Sequence, residues 1–361
     1  MQKVLIAMSG GVDSSVAACM MVENDFDCIG CTMKLYENED VCIPKHHTCC
    51  SLDDVEDARS VANNLCMPYY VFNFSEDFYD TVISKFIKCY ECALTPNPCI
   101  DCNRYMKFDK LYERAKILGC EYIVTGHYVR IEEKDGEFFL KKAVDDTKDQ
   151  SCVLYSMTQE QLAHTKFPLG DLRKTEVREI ADRHNFVNFD KPDSQDICFV
   201  PDGDYASFIS KQTGKTFAEG DFVDTKGNKL GTHKGIINYT IGQRKGIGIS
   251  FNEPIYVGKI DVESNTVTLC KNDELFQNVV NVKEFNWISG KAPSEEFNAK
   301  AKIRYRQKEQ PAKIIPIGSD KIQIVFDEPQ RAITAGQAAV IYDGDIVLGG
   351  GVIESSCSLE D

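Results

Sequence analysis

Two hydrophobic patterns alternate through the first 200 residues of the chain. Unbroken apolar runs, of which Val4–Met8 is the first, are typical of strands buried on both faces of a parallel sheet. Between them, apolar residues spaced three and four positions apart predict amphipathic helices. The predicted strands cover residues 4–8, 28–33, 69–74 and 121–127, and the predicted helices begin near residue 13 and cover residues 51–65, 78–87, 107–118 and 174–184. This alternation predicts an α/β fold with a doubly wound parallel sheet.

The pattern changes beyond residue 204. Short alternating segments are broken by turn sequences such as Lys226-Gly227-Asn228 and Glu263-Ser264-Asn265, which indicate hairpins. Helical periodicity is nearly absent there. We therefore predict an α/β domain over residues 1–203, a small β-rich domain over residues 204–275 and a C-terminal β-barrel domain over residues 276–361.

Composition limits where the protein acts and what it binds. No apolar stretch reaches transmembrane length, and the first predicted strand starts without a preceding signal peptide, so we expect a cytoplasmic protein without membrane contact. The formal net charge of −15 argues against nonspecific binding to nucleic acid. One basic stretch differs from the rest of the chain. If it forms a strand, its alternate cations would share one face. That face would be either an ordinary solvated surface or a phosphate-binding surface. These cations are Lys300, Lys302, Arg304, Arg306 and Lys308.

The sequence SGGVDS, Ser9 to Ser14, directly follows the first predicted strand. Glycines permit a tight turn there, and the start of the next helix offers backbone N–H groups and the positive end of a helix dipole. Phosphate is the natural ligand of such a turn, although an ordinary capped strand-to-helix turn is the alternative. The segment matches neither the P-loop phosphotransfer motif GxxxxGK[ST] nor the dinucleotide-binding motif GxGxxG, so both of those functions lose support.

Cysteines supply the second kind of candidate chemistry. In a reducing compartment most of the 16 cysteines are expected to be buried small side chains. Cys99 and Cys102 differ, because they form a CxxC just before a predicted helix, where a thiolate is favoured. Cys198 follows 96 positions after Cys102 and can reach it only through the fold.

Two further groups contain residue types that bind metals, and each has two interpretations. A polar segment contains cysteines and histidines without a clear ligand spacing, which leaves a zinc site as one interpretation. Its members are Cys42, His46, His47, Cys49 and Cys50. Cys89 and Cys92 form a second CxxC, and together with Cys99 and Cys102 they suggest a Cys₄ zinc site, with packing near a helix end as the alternative.

Six motifs occur in order: SGGVDS, TPNPCIDCN, TGHY, KDQS, DSQDICF and GQRKG. Together they resemble the tRNA-specific 2-thiouridylases, a family of the PP-loop, or N-type ATP pyrophosphatase, group. The resemblance implies that ATP adenylates the C2 oxygen of wobble uridine 34 in tRNAs for Lys, Glu and Gln. Sulfur transfer then gives 2-thiouridine, with AMP and pyrophosphate as the other products. It also implies a sulfur donor, such as a cysteine desulfurase or a sulfur-relay protein.

The same resemblance assigns roles to residues. Cys198 would carry a persulfide, and Cys102 would attack it, with release of sulfide or formation of a transient disulfide. ATP, with Mg²⁺ near Asp13, would contact Ala7, Met8, Ser9, Gly10, Gly11, Val12, Asp13, Ser14, Met33 and Gly126. The tRNA would contact Asn97, Pro98, Cys99, His127, Lys148, Asp149, Gln150, Arg304, Tyr305 and Gln337.

One departure from the family pattern changes the chemistry under consideration. Many members have Asp, their proposed acid/base residue, where this chain has Cys99. Cys99, Cys102 and Cys198 then resemble the three ligands of a [4Fe–4S] cluster with one open iron, and Asp101 becomes an acid/base candidate. Two other functions are considered: a different PP-loop adenylating enzyme, such as an amidotransferase-like synthetase, and a non-catalytic protein that binds tRNA or nucleotide.

Overall fold

A five-stranded parallel sheet forms the centre of the N-terminal region in the computed structural model, which describes residues 1–36, 52–193 and 197–358. Its strand order is β3-β2-β1-β4-β7, and a hairpin of β5 and β6 lies between β4 and β7 in sequence. These strands are β1 (Lys3–Ala7), β2 (Asp27–Lys34), β3 (Tyr69–Asn73), β4 (Tyr122–Val124), β5 (Val129–Lys134), β6 (Glu137–Lys142) and β7 (Thr165–Lys166).

Helices cover both faces of this sheet, which confirms the doubly wound prediction. Val4 and Ile6 of β1 pack with the helices at 12–23, 52–64 and 174–183, whereas Leu5 faces the helices between residues 75 and 117. The helices are α1 (Val12–Glu23), α2 (Leu52–Asn64), α3 (Ser75–Phe78), α4 (Ser84–Glu91), α5 (Pro98–Asp101), α6 (Leu111–Ile117), α7 (Gln159–Ala163) and α8 (Lys174–Arg183). Two π-helical segments, Tyr79–Ile83 and Cys102–Lys110, connect α3 to α4 and α5 to α6.

A small four-stranded sheet follows, with strand order β10-β11-β8-β9. Its strands are β8 (Gly220–Val223), β9 (Lys229–His233), β10 (Tyr256–Asp261) and β11 (Thr266–Cys270). The sequence pattern did not predict helix α9 (Tyr205–Thr213), which precedes this sheet. Its Phe208 and Ile209 are buried in the core that also contains Phe86, so α9 ties this region to the helices of the first sheet.

The C-terminal region is a closed six-stranded barrel, as expected. Neighbouring strands run β12-β15-β14-β13-β16-β17, and β12 also pairs with β17, which closes the barrel. The strands are β12 (Phe276–Trp287), β13 (Phe297–Lys302), β14 (Gln310–Ile317), β15 (Lys321–Arg331), β16 (Ala338–Asp343) and β17 (Ile346–Cys357). The domain boundaries predicted after residues 203 and 275 stay predictions.

Contacts join the first region to the barrel at the β5–β6 hairpin. β6 pairs with β17 through Lys141 and Ile346, so the hairpin extends the barrel sheet to eight strands. The Arg130 guanidinium lies 2.9 Å from the Asp345 carboxylate across this junction. A segment that precedes β7 in sequence thereby belongs to the barrel sheet in space.

The basic stretch at 300–308 does not form one flat strand face, so that expectation was wrong. β13 ends at Lys302, whose side chain is buried, and a turn follows that exposes Arg304, Tyr305 and Arg306. In the ranges that the structure describes, no helix has the length and apolar character needed to cross a membrane.

Candidate active site

The SGGVDS segment forms the turn between β1 and α1. The Met8 amide donates to the Cys31 carbonyl at 2.8 Å, which keeps the start of the turn in line with the sheet. The Ser9 amide donates to Ser14 Oγ at 3.1 Å, which folds the turn over the helix start. Gly11 takes the N-cap position of α1, and glycine has no side-chain acceptor for the first-turn N–H groups. The turn therefore has the backbone arrangement that anions favour.

The strand end that carries TGHY touches this turn. A Cβ at Gly126 would lie 2.8 Å from both the carbonyl carbon of Asp13 and the amide nitrogen of Ser14. Only glycine permits such an approach. Met33, at 9% exposure, lies near the carboxyl end of the neighbouring strand β2. The predicted ATP residues from three parts of the chain thus meet at one edge of the sheet, where α/β folds bind ligands.

The Asp13 carboxylate is held by Tyr128 of the TGHY motif and by Lys174, which lies outside the six motifs. Lys174 Nζ lies 2.7 Å from Oδ1 and 2.8 Å from Oδ2, and the Tyr128 hydroxyl donates to Oδ1 at 2.6 Å. Burial and the Asp13 charge raise the pKa of Tyr128, so its hydroxyl stays protonated. Lys174 also lies 2.6 Å from Asp193. Asp13 is therefore fixed in orientation beside the first turn of α1.

The KDQS segment lies against the same network. Lys148 Nζ lies 2.7 Å from Asp193, and the Gln150 side chain accepts from the Tyr128 amide at 2.9 Å. Asp149 accepts from the Ala143 amide and the Ser151 hydroxyl. Burial opposes ionisation of Asp193, yet hydrogen bonds from Lys148 and Lys174 hold its pKa below the usual value. All three predicted tRNA residues of this segment thus have protein partners.

Two consecutive residues of α4 hold the neighbours of Cys102 and Cys198. Lys85 Nζ lies 2.7 Å from the buried carboxylate of Asp101, which directly precedes Cys102. The Phe86 ring packs edge-on at 5.3 Å from that of Phe199, which directly follows Cys198. Both cysteines pack against one core cluster. The fold therefore anchors the two predicted catalytic cysteines to one helix, although 96 positions separate them in sequence.

Hydrogen bonds also fix the backbone next to Cys198 and Cys99. The Tyr36 hydroxyl, just past the carboxyl end of β2, donates to the Cys198 carbonyl at 3.0 Å. Asn97 caps α5 by accepting from the Cys99 amide at 3.1 Å, and Pro98 takes the first helical position. Proline is favoured there because the missing N–H would have no helical partner. Cys99 is exposed.

A narrow cleft between α5 and the barrel unites predicted tRNA residues of both regions. Asn97, Arg304, Tyr305 and Gln337 line it, together with Cys152. Gln337 Nε2 donates to the Thr95 carbonyl at 2.7 Å, which holds the TPNP loop on the barrel.

Side chains of other predicted segments lie near Tyr305. Burial of its hydroxyl, then the nearby Cys152, Asp149 and Cys99, raise the pKa of Tyr305 to about 12. Groups of the CxxC and KDQS segments are therefore near enough to the barrel residue Tyr305 to influence its hydroxyl electrostatically.

His127 differs from the other predicted tRNA residues. It is 7% exposed, and its Nδ1 lies 2.7 Å from Thr125 Oγ1. Burial, reinforced by the Lys107 charge, holds its pKa well below the ordinary value. The structure therefore presents a neutral, enclosed imidazole at this position.

Comparisons with known proteins cover 98% of the chain. The tRNA methyl transferase HUP domain matches residues 2–202, the tRNA methyl transferase PRC-barrel domain residues 206–271, and the aminomethyltransferase beta-barrel domain residues 277–353. The tRNA-specific 2-thiouridylase MnmA of Clostridioides difficile (strain 630) is 53% identical over 357 residues, covering 98% of this chain and 99% of that protein. The protein of the same name from Symbiobacterium thermophilum is 48% identical over 359 residues, covering 98% and 92%.

The chain belongs to the tRNA-specific 2-thiouridylase family. The resemblance drawn from the six motifs is thereby confirmed. Within this 2-thiouridylase the roles of individual residues stay predictions, which the geometry above either supports or leaves open.

The metal-binding alternatives have different outcomes. Within the described ranges, one group of side chains that could bind a metal ion has all its ligand atoms within 4.8 Å of one another. It consists of Cys19, Glu23 and His184. The Cys89, Cys92, Cys99 and Cys102 set does not reach that spacing there. The other candidate group lies outside the described residues; it comprises Cys42, His46, His47, Cys49 and Cys50.

Sequence reasoning assigned no role to three residues that organise the PP-loop of this 2-thiouridylase, although one of them, Tyr128, lies in the TGHY motif. They are Lys174, Tyr128 and Asn188, whose buried amide donates to the Gly10 carbonyl at 2.8 Å. Lys174 left one signal in the sequence. It begins α8, where the helix dipole disfavours a cation unless a nearby anion compensates for it.

Proposed function

We propose that the chain is a tRNA uridine 2-sulfurtransferase. ATP adenylates the C2 oxygen of wobble uridine 34, and sulfur then replaces AMP, so the products are 2-thiouridine, AMP and pyrophosphate. The observation that carries the proposal is the attachment of both cysteine segments to consecutive residues of α4, Lys85 and Phe86. This arrangement supports a function in which the two cysteines act together, as sulfur transfer requires.

The PP-loop would hold ATP in the adenylation step. Uridine O2 attacks the α-phosphorus, pyrophosphate leaves, and the weak leaving group at C2 becomes AMP. Mg²⁺ would neutralise phosphate charge, and the single carboxylate of Asp13 fits it, because Mg²⁺ commonly takes one or two carboxylates together with substrate phosphates. The predicted contacts at 7–14, Met33 and Gly126 are retained in this proposal.

One route for sulfur transfer uses two cysteines. The Cys102 thiolate attacks the inner sulfur of a Cys198 persulfide, which forms the Cys102–Cys198 disulfide and releases hydrosulfide. Hydrosulfide attacks C2 of the adenylated uridine, and AMP departs. A thiol reductant restores both cysteines, and a sulfur donor, such as a cysteine desulfurase or a relay protein, reloads Cys198.

The other route uses a [4Fe–4S] cluster, and we place it slightly ahead because of Cys99. Cys99 and Cys102 are three residues apart on joined helical segments, so they face the same side. Thiolates are the ligands that such clusters take, and the set Cys99, Cys102 and Cys198 fits this donor chemistry. Asp101 is less suited to the acid/base role, because its carboxylate is buried against Lys85.

The tRNA would lie across the cleft between α5 and the barrel. Asn97, Arg304, Tyr305 and Gln337 line this cleft, and Tyr305 offers a ring on which an extruded base could stack. The segments with His127 and residues 148–150 complete the predicted contact set. We extend the proposal to tRNAs for Lys, Glu and Gln as substrates and to the cytoplasm as the compartment.

The test measures 2-thiouridine in tRNA after incubation with ATP, a thiol reductant, and a cysteine desulfurase with cysteine as the persulfide-level sulfur donor. Cys102→Ser and Cys198→Ser should abolish product, whereas Cys66→Ser, an exposed control, should not. A Cys198→Ser variant with full turnover would contradict the proposal and favour an amidotransferase-like synthetase.

Anaerobic iron and acid-labile sulfide analysis separates the two sulfur routes. One cluster per chain, lost in Cys99→Ala, supports the cluster route. An iron-free enzyme that still makes 2-thiouridine supports the persulfide route.

A further inference from the structure

Lys174 is the buried central cation of a partly exposed charge network at the PP-loop. Its side chain is 11% exposed and lies within hydrogen-bond distance of three carboxylate oxygens, both of Asp13 and one of Asp193. An ammonium group has three N–H donors, so these contacts use all of them. Its position at the start of α8 is unfavourable for a cation, and the two carboxylates compensate for that cost.

Two separate chains of contacts join the KDQS segment to Asp13. The first runs from Lys148 to Asp193 at 2.7 Å, then through Lys174 to Asp13. The second runs from the Gln150 side chain to the Tyr128 amide, and from the Tyr128 hydroxyl to Asp13.

The backbone reinforces the first chain. The Lys174 amide donates to Asp145 Oδ2 at 3.0 Å, so the loop that precedes Lys148 also fixes the start of α8. The start of α8 is therefore bonded directly to the loop that leads into the KDQS segment.

We infer that Lys174 is a positioning residue that couples occupancy of the KDQS segment to the ATP site. The inference rests on the proposed function, because that function supplies tRNA and ATP as the two ligands. A tRNA phosphate at Lys148 would compete with Asp193 for this cation. Asp193 would then draw Lys174 more strongly, which loosens the hold of Lys174 on Asp13 and frees that carboxylate for the metal–nucleotide complex.

Reciprocity makes this inference measurable without chemistry. If tRNA strengthens nucleotide binding by some factor, the nucleotide strengthens tRNA binding by the same factor. We therefore compare the Kd of an unmodified tRNA transcript with and without saturating α,β-methylene-ATP, which cannot be cleaved between the α- and β-phosphates. For the wild type we expect the analogue to tighten tRNA binding by about fivefold or more, the lower range of measured couplings.

Lys174→Met should reduce the coupling factor by about half or more, because the cation that links the two carboxylates is gone and only the chain through Gln150 and Tyr128 is left. Lys141→Met is the matched control. Lys141 also bridges two carboxylates, Glu132 at 2.6 Å and Asp345 at 3.2 Å, and its side chain is 17% exposed. It lies at the hairpin–barrel junction, so this variant should keep the full coupling factor.

Asp193→Asn provides a second variant in case Lys174→Met does not fold. It removes the middle of the first chain at a position that is 28% exposed, and it should also reduce the coupling factor. Wild-type coupling in either folded variant, or no coupling in the wild type, would overturn the inference. A wild type that couples the two ligands but makes no 2-thiouridine would instead overturn the proposed function alone.

Discussion

Replacement of Lys85 by Met tests the ion pair that holds the CxxC segment. Lys85 Nζ lies 2.7 Å from Asp101 Oδ1, and the two side chains are 35% and 11% exposed. Burial raises the pKa of Asp101, and the attraction of Lys85 offsets this only in part. Methionine keeps most of the side-chain volume but leaves the Asp101 carboxylate buried without its cation.

The expected cost follows from this partial burial. Removal of one partner of a fully buried ion pair destabilises a protein by about 3–5 kcal/mol. Exposed pairs contribute about 0–1 kcal/mol. Since Asp101 is buried and Lys85 is partly in water, we expect Lys85→Met to lower the free energy of unfolding by about 2 kcal/mol.

Urea denaturation provides the assay, with the midpoint shift converted through the slope of the transition. The matched control is Lys313→Met, whose 2.9 Å pair with Glu296 is about half exposed on both sides, and which should change stability by under about 0.5 kcal/mol. The reasoning is refuted if the two variants have the same midpoint.

The pH dependence gives a second measure of the Lys85 variant. A carboxyl whose folded pKa lies above its unfolded pKa takes up a proton first in the folded state, so falling pH favours folding. Without Lys85 the pKa of Asp101 should rise further. The stability deficit of Lys85→Met should therefore shrink as the pH is lowered from about 8 to 5. A deficit that is constant over this range would mean that Asp101 does not titrate there.

Three other variants test separate parts of the site. Gly126→Ala places a Cβ 2.8 Å from Asp13 and should weaken ATP binding at least tenfold (about 1.4 kcal/mol) by calorimetry, and unchanged affinity would contradict the close approach. Gly336→Ala, at φ +90° and with its Cβ 2.8 Å from the Thr95 amide, should reduce thiolation but leave ATP binding intact; equal loss of both would point to general unfolding. The pKa of His127 in the folded protein lies well below 6.5, so the unfolded state takes up the proton first. The wild type should therefore lose stability relative to His127→Gln as the pH falls below about 6.5. Parallel stability profiles of the two proteins would contradict the lowered pKa.

Local pattern was sufficient for much of the fold. The apolar runs at Val4–Met8 and 28–33 could be recognised because a strand buried on both faces tolerates few polar residues. The change to a β-rich chain beyond residue 204 was predicted from turn sequences such as residues 226–228 and 263–265, because hairpin geometry restricts the residues that fit. Helix α9 was missed, because only two adjacent residues, Phe208 and Ile209, are buried, and they do not give a helical apolar period.

The motifs placed the PP-loop and the cysteines correctly along the chain, since each motif is continuous in sequence. The turn at 303–309 shows the limit of that approach. Alternating cations suit an exposed strand, yet the strand ends at Lys302, which is buried beside the Tyr342 ring. Periodicity reports which residue types alternate, whereas strand length depends on the partners β14 and β16.

The sequence alone therefore determined the family, the order of the folded regions and the residue types available for chemistry. Only the tertiary structure decided which charges meet. Lys174 reaches Asp13 across 161 positions, and Lys85 and Phe86 hold the neighbours of two cysteines that are 96 positions apart. The physical reason is that ion pairs and ring contacts act over a few ångströms of space, and distance along the chain does not record which residues packing brings within that range.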